Sequence, residues 1–362
     1  MSSHPGAAAA CNEEAADAFA ERTAEILNLG AVAVMLSIGH RTGLFETLAQ
    51  THAATSPEIA KRAGLAERYV REWLAVMVVG GIVEYDPRGR RYSLPPEHAA
   101  SLTRDGALGN MAVYAQHVAL MGAVQEQILD RFETGEGLVY ADYPCFHALM
   151  AEDSDQTVCG PLFDAILPLA PDLVARLESG IEVLDAGCGR GRALMAMAER
   201  YPASRFTGYD LCGDAISYAG SAMAARGLGN IGFEVRDLSD FDEVSRYDLI
   251  TSFDAVHDQR DPADLVKRLH RALRPGGVYL MQDIGGSARL ENNHDFPMAA
   301  LLYAISCAHC TPVSLAQGGE GLGTMWGWET AQTILEAAGF ASVARNVLAH
   351  DPMNVWFVSR RA

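Results

Sequence analysis

The chain reads as an α/β protein, an open Rossmann-like sheet preceded by a smaller, mainly helical domain. Three observations predict this. An apolar strand runs into a glycine turn at 185–191, apolar strands then alternate with amphipathic helices, and a short helix–turn–helix pattern with a hairpin lies upstream. Its 362 residues, 49% hydrophobic and 20% charged, suffice for two domains with a sizeable core.

Residues 1–12 read as a disordered tail, and Ala7–Ala10 lacks the basic flank of a secretion signal. From Glu13 to about Leu48 the pattern is helical, with Leu27, Val34, Leu36 and Ile38 apolar. Ser56 is placed to cap a helix with Pro57 at its first position, ending at Gly64-Leu65. A second helix spans Glu67–Val79 and stops at Gly80-Gly81. Ile82–Tyr85, the turn Asp86-Pro87-Arg88-Gly89 and Arg91–Leu94 then read as a hairpin. Together these predict a winged helix over 1–105.

Such a module often binds DNA, which requires a basic face. Residues 1–105 hold ten Lys/Arg against thirteen Asp/Glu, in a chain of net charge −18. The helix that would read DNA is mostly apolar (Trp73, Leu74, Val76, Met77, Val78, Val79). Phosphate contacts dominate DNA affinity, so nucleic acid is a poor partner and dimerisation the better use.

Residues 106–165 read as connecting helices, and 166–362 as the α/β domain. Ile181–Leu184 leads into Asp185, Gly187, Gly189 and Gly191, spaced Asp-x-Gly-x-Gly-x-Gly, before an Ala/Met-rich helix. Glycine lets the backbone approach a ligand closely, at a strand's carboxyl end. The dinucleotide pattern needs a small residue at 192, but Arg192 stands there, which disfavours NAD and favours S-adenosylmethionine (SAM). A second strand (Arg205–Tyr209) ends in Asp210, placed to accept ribose hydroxyls, and a third (Ile231–Val235) is followed by Asp237, placed to hold an adenine amino group. A fourth (Tyr247–Phe253) ends in Asp254-Ala255-Val256-His257-Asp258. The helix Ala263–Leu273 stops at Arg274-Pro275-Gly276-Gly277, and a fifth strand (Val278–Gln282) ends in Asp283. Leu211, Leu238, Phe253 and Asp254 complete the candidate cofactor set.

Over residues 170–362 these motifs resemble the class I SAM-dependent methyltransferases. Asp185, Gly187, Gly189 and Gly191 match the family's first motif, Asp210 its ribose-binding acid, and Asp237 its adenine contact. The resemblance implies a closing antiparallel hairpin, for which Ser342–Ala349 and Asn354–Ser359 are suited. With its winged helix the chain resembles the plant caffeic-acid and acetylserotonin-type O-methyltransferases and an actinobacterial winged-helix methyltransferase group. In such enzymes the N-terminal domain dimerises and helps wall the substrate pocket.

The implied reaction is methyl transfer to a small molecule, at a hydroxyl. His257-Asp258 matches the His-Asp of the plant-type enzymes, whose histidine is the general base, although Gln259 replaces their usual tryptophan and no flanking acid partner is identifiable; Asp258 is placed either to orient His257 or only to begin the turn to Asp261-Pro262. Tyr114, His117, Tyr143 and His147, with Trp326 and Trp328 of an insert at 285–328, are candidate acceptor contacts between the domains. Phe296 and Tyr303 share that insert, and Gln317–Gly323 reads as a hinged lid. Cys307-Ala308-His309-Cys310 suggests a metal half-site, but no second pair has matching spacing, so no metal is expected. Seven cysteines without framework spacing suit a reducing cytoplasm, and no stretch reads as a bilayer span. The rival functions are a SAM-responsive winged-helix regulator and an N- or S-methyltransferase.

Overall fold

The computed structural model describes residues 11–362, so the expectations for residues 1–10, including Ala7–Ala10, lie outside the described residues. The chain divides into two compact units between Ala119 and Leu120.

In the N-terminal unit the predicted helix from Glu13 is two helices, Glu13–Thr42 and Leu44–Ala49, separated where Gly43 adopts φ +71°. The next helix, Ser56–Ala63, corrects the predicted cap. Thr55 is the N-cap, and its backbone N–H and hydroxyl donate to Glu58 at 2.8 and 2.9 Å. Ser56 instead donates to Glu67 at 2.6 Å, tying this helix to Glu67–Val79. The wing is the pair β1 (Glu84–Asp86) and β2 (Arg91–Ser93).

The helix Glu67–Val79 buries Val70, Trp73, Leu74 and Met77 against Phe45, Leu48 and Ile59, so its apolar character chiefly serves its own domain's core. Trp73 also donates its indole N–H to Met35 O at 2.8 Å. Exposed apolar side chains concentrate instead on Glu13–Thr42, where Phe19 and Leu27 are 71% and 70% accessible.

The C-terminal unit holds a seven-stranded sheet. Its strands are β3 (Glu182–Ala186), β4 (Arg205–Asp210), β5 (Ile231–Val235), β6 (Tyr247–Phe253), β7 (Leu273–Ile284), β8 (Ser342–Leu348) and β9 (Asp351–Arg360). The spatial order is β5-β4-β3-β6-β7-β9-β8. The first five are parallel, and β9 pairs antiparallel with both β7 and β8, giving the implied closing hairpin. β7 starts earlier than expected: its pairing with β6 jumps from Tyr247↔Leu273 to Leu249↔Val278, so 274–277 bulges out within the strand.

Successive residues of the central strands enter opposite cores. Val183, Leu249, Val278 and Trp356 join one with Leu194 and Met197 of the helix Arg192–Arg200. Leu184, Ile250, Tyr279 and Phe357 join the other with Leu265, Leu269 and Leu335 of Pro262–Ala272 and Trp328–Ala337. Both faces are covered, which is why these strands read as nearly continuous apolar runs.

The connecting region contains the helices Ala115–Thr134 and Phe146–Ser154, followed by π-helical turns at Asp155–Cys159 and Leu162–Ile166. One expectation is overturned: the stretches Glu13–Thr42 and Ala299–Ala316, with mean hydropathies of 1.3 and 1.4, are long and apolar enough by length and composition to cross a membrane. The second is broken by a π turn at Ser306–Cys310.

Truncating a buried aromatic removes both its transfer free energy and its packing. Trp73→Ala is expected to cost about 3–5 kcal/mol in the N-terminal unit, read by denaturant unfolding of the full chain. A loss below about 1 kcal/mol would contradict the assigned core.

Candidate active site

The turn after β3 opens onto a cleft lined by Asp185, Gly187, Gly189, Gly191, Asp210, Leu211, Asp237, Leu238, Phe253 and Asp254, all ten of the predicted cofactor residues. They converge because β3, β4, β5 and β6 are parallel and present their carboxyl ends together. The glycines act differently. A Cβ on Gly191 would stand 2.3 Å from the Phe233 ring, and one on Gly187 would stand 2.5 Å from the Ala255 Cβ. Gly189, at φ +52°, has nothing within 4 Å of where its Cβ would be, so its missing side chain keeps the cleft open.

Asp210 accepts from the backbone N–H groups of Gly189 (2.8 Å) and Cys212 (2.9 Å), which locks the turn to the end of β4. Asp237 accepts from Ser239 N at 2.8 Å and caps a short turn. Asp185 is buried at the mouth of β3 and accepts from Thr251 Oγ1 at 2.7 Å. Burial raises its carboxyl to about 7, partly opposed by the Thr251 bond. Asp254 sits at φ +49°, a costly conformation for an L-residue, and burial with the nearby Asp283 charge holds its carboxyl well above the ordinary range.

Asp254 Oδ1 and Gln282 Oε1, on residues lining the cleft, are buried without hydrogen-bond partners. Both are acceptors, so they call for a donor. Among the cleft's cations, Arg192 pairs with Asp155, Arg236 with Asp242 and Glu243, and Arg190 lies over the Tyr218 ring. These acceptors therefore fit a ligand carrying an ammonium and a sulfonium, as SAM does.

His257 does not line the cleft; Asp258 does. The ring is buried with Nδ1 donating to Asp283 Oδ1 at 2.8 Å and Nε2 at 3.2 Å from Asp258 Oδ1. Asp283, at the end of β7, is the acid partner that the sequence did not reveal. Its Oδ1 also accepts from Trp326 Nε1 (2.9 Å) and Ile284 N (2.8 Å). Burial disfavours the imidazolium, but Asp283 and Asp258 outweigh it and hold His257 well above its ordinary value. Tyr140 donates to Asp258 Oδ2 at 3.2 Å.

Of the candidate acceptor contacts, His147 lines the cleft, with its Nε2 3.6 Å from Asp214. Tyr143 is buried and donates to Ala308 O at 2.9 Å, Trp326 serves Asp283, and Trp328 stacks against Arg345 at 4.0 Å. None of these three lines the cleft, and Tyr114 and His117 belong to the N-terminal unit. The Gln317–Gly323 run is pinned down: Gln317 lines the cleft and donates to Asp258 O at 3.0 Å, and Gly321 N donates to Ser314 at 3.2 Å. Of the two thiols of Cys307-Ala308-His309-Cys310, Cys310 is buried and Cys307 is exposed.

The raised carboxyl of Asp185 has a consequence for stability. In the folded state it keeps a proton that the unfolded chain, at 3.8, has released. The unfolded state binds fewer protons across that window, so this group makes stability fall as the pH rises from about 4 to about 7. Asp185→Asn should therefore melt above the wild type at about pH 8, with the gap closing near pH 4. Parallel melting curves across that range would contradict the assignment.

Two family matches divide the chain: residues 30–104 match the Rv2258c-like winged HTH domain, and residues 177–339 match a methyltransferase domain. A trans-aconitate 2-methyltransferase of Deinococcus radiodurans is 30% identical over 170 residues, 47% of this chain and 58% of the relative. A methyltransferase (ungE') of Aspergillus campestris is 40% identical over 80 residues, 21% of this chain and 23% of the relative. The chain thus spans less than two thirds of the length of these curated relatives. Human N-acetylserotonin methyltransferase, solved in complex with SAM, superposes with a TM-score of 0.68 at 15% identity, covering 98% of this chain and 99% of that one. Mitomycin 7-O-methyltransferase superposes with a TM-score of 0.64 at 18% identity, covering 97% and 100%. The chain therefore carries a winged-helix match over residues 30–104 and a methyltransferase-domain match over residues 177–339, with the fold of class I methyltransferases.

Proposed function

We propose that the protein is a SAM-dependent methyltransferase whose acceptor is a hydroxyl of a small molecule, and that it works as a homodimer. The observation that carries the reading is the juxtaposition of the ten-residue cleft with Asp258, backed by His257 and Asp283. Structural neighbours of the O-methyltransferase type support it, while the curated relatives also include trans-aconitate methyltransferases.

When bound, SAM supplies a methyl group on a positively charged sulfur. Asp254 and Gln282 offer their unpartnered oxygens to its ammonium, Asp210 and Asp237 serve its ribose and adenine, and Gly189 leaves room. What the chain must add is placement of the acceptor and a destination for its proton. Placement alone contributes much of the acceleration in such displacements. The acceptor's proton goes to the Asp258 carboxylate, which faces the cleft, while His257, kept protonated between Asp283 and Asp258, holds that carboxylate in place through Nε2. A hydroxyl needs such a sink, whereas a neutral amine or thiol has less use for one. General bases contribute roughly 10²–10⁴-fold.

The homodimer reading rests on the exposed apolar residues of Glu13–Thr42, among them Phe19, Ile26, Leu27 and Leu29. A second copy of this helix is the occupant proposed, since contiguous exposed apolar surface marks an interaction face.

In a radiolabel-transfer screen of phenols, alcohols and acids, His257→Ala should lower turnover at least tenfold while leaving S-adenosylhomocysteine affinity nearly unchanged. An unaltered rate would remove the pair as proton acceptor and leave placement alone. By light scattering the wild type should show twice the chain mass, and Ile26→Asp with Leu27→Asp the single mass. A monomeric wild type would overturn the dimer.

A further inference from the structure

We propose that His257, Asp258 and Cys310 form a binding site for one zinc ion, and that zinc there silences the enzyme. His257 Nε2, an Asp258 carboxylate oxygen and Cys310 Sγ are all buried and lie within 4.8 Å of one another. No sequence spacing reveals the trio, because Cys310 comes from the π turn Ser306–Cys310, far along the chain from the loop after β6.

The donor set selects the metal. Imidazole and thiolate are borderline-to-soft ligands that suit zinc and exclude magnesium or calcium, which prefer oxygen. Zinc bonds of about 2.0–2.3 Å put tetrahedral ligand atoms about 3.4–3.8 Å apart, so the cluster needs only a modest contraction. Asp258 and a Cys310 thiolate together neutralise the ion's charge in a site with little water.

Each ligand already has the supporting partner that metal sites need. Asp283 accepts from His257 Nδ1 at 2.8 Å, which turns Nε2 toward the site. Thr324 donates to Cys310 Sγ at 2.8 Å, and Tyr140 donates to the other Asp258 oxygen at 3.2 Å. Asp258 Oδ1 is held in the structure by His257 Nε2 at 3.2 Å, so an ion between the two atoms would replace the proton they share. An independent observation also points to a ligand: His309 Nε2, on the neighbouring residue of the π turn, is buried with no hydrogen-bond partner. Asp258 lines the cleft and gives the ion its path in.

The silencing follows from the proposed function and rests on it: an ion on Nε2 and Asp258 occupies the carboxylate assigned to the acceptor's proton. Binding itself does not depend on that reading.

The test titrates the full-length protein with cobalt(II), then measures bound zinc by elemental analysis after dialysis. The site requires one equivalent per chain, a thiolate-to-cobalt charge-transfer band and the strong visible bands of an ion made four-coordinate by a water beside its three protein ligands. Cys310→Ala should lose the charge-transfer band and bind zinc at least tenfold more weakly. Cys307→Ala, at an exposed position, should match the wild type. The wild-type spectrum stands even if Cys310→Ala folds poorly. Absence of the band, or its loss in Cys307→Ala alone, overturns the site and leaves the proton-acceptor reading in place. Stoichiometric binding with undiminished turnover upholds the site and overturns that reading.

Discussion

The reversal of strand order at β3 is the constraint on which the site depends. From β3 the chain builds outward through β4 and β5, then returns to lay β6 on β3's other edge. Loops leaving the carboxyl ends on either side of that point diverge, and a crevice opens between them. The Asp185–Thr251 bond spans the reversal, joining β3 to β6 at 2.7 Å directly beneath the cleft. The glycine turn, the Asp210 lock and the positive-φ Asp254 are arranged around this crevice.

A concentration of buried acids follows, and it governs the electrostatics. Asp185, Asp254, Asp258 and Asp283 are packed together at the sheet's carboxyl edge, and the last two pair directly with His257. Asp185 and Asp254 meet the cost of burial with raised carboxyls. The orphaned acceptors on Asp254 and Gln282 belong to the same pattern of a site built to receive a cationic ligand.

Most of the parallel sheet was legible because its signals are local. The strand Tyr247–Phe253 and the helix Glu67–Val79 have the boundaries that their apolar runs and flanking glycines or acids indicate. All ten candidate cofactor residues line one cleft because each sits at the end of a strand or on the turn beside it. Local competition blurred finer points: Thr55 rather than Ser56 caps its helix, since Glu58 completes a capping box with it. Non-local contacts were invisible. Asp283 reaches His257 across the edge of neighbouring strands, and Cys310 arrives from a π turn in the insert. Trp326 looked like a substrate contact because aromaticity alone says nothing of an indole N–H committed to a buried carboxylate. The hydropathy of Glu13–Thr42 was underrated because its acids cluster in the first turns and leave a long apolar run behind them.

The account stands on the cleft being a cofactor site, and calorimetric titration of the purified full-length protein with S-adenosylhomocysteine tests it most directly. The account predicts one site per chain with micromolar affinity. No detectable heat from protein shown by mass spectrometry to be free of bound nucleoside would contradict it.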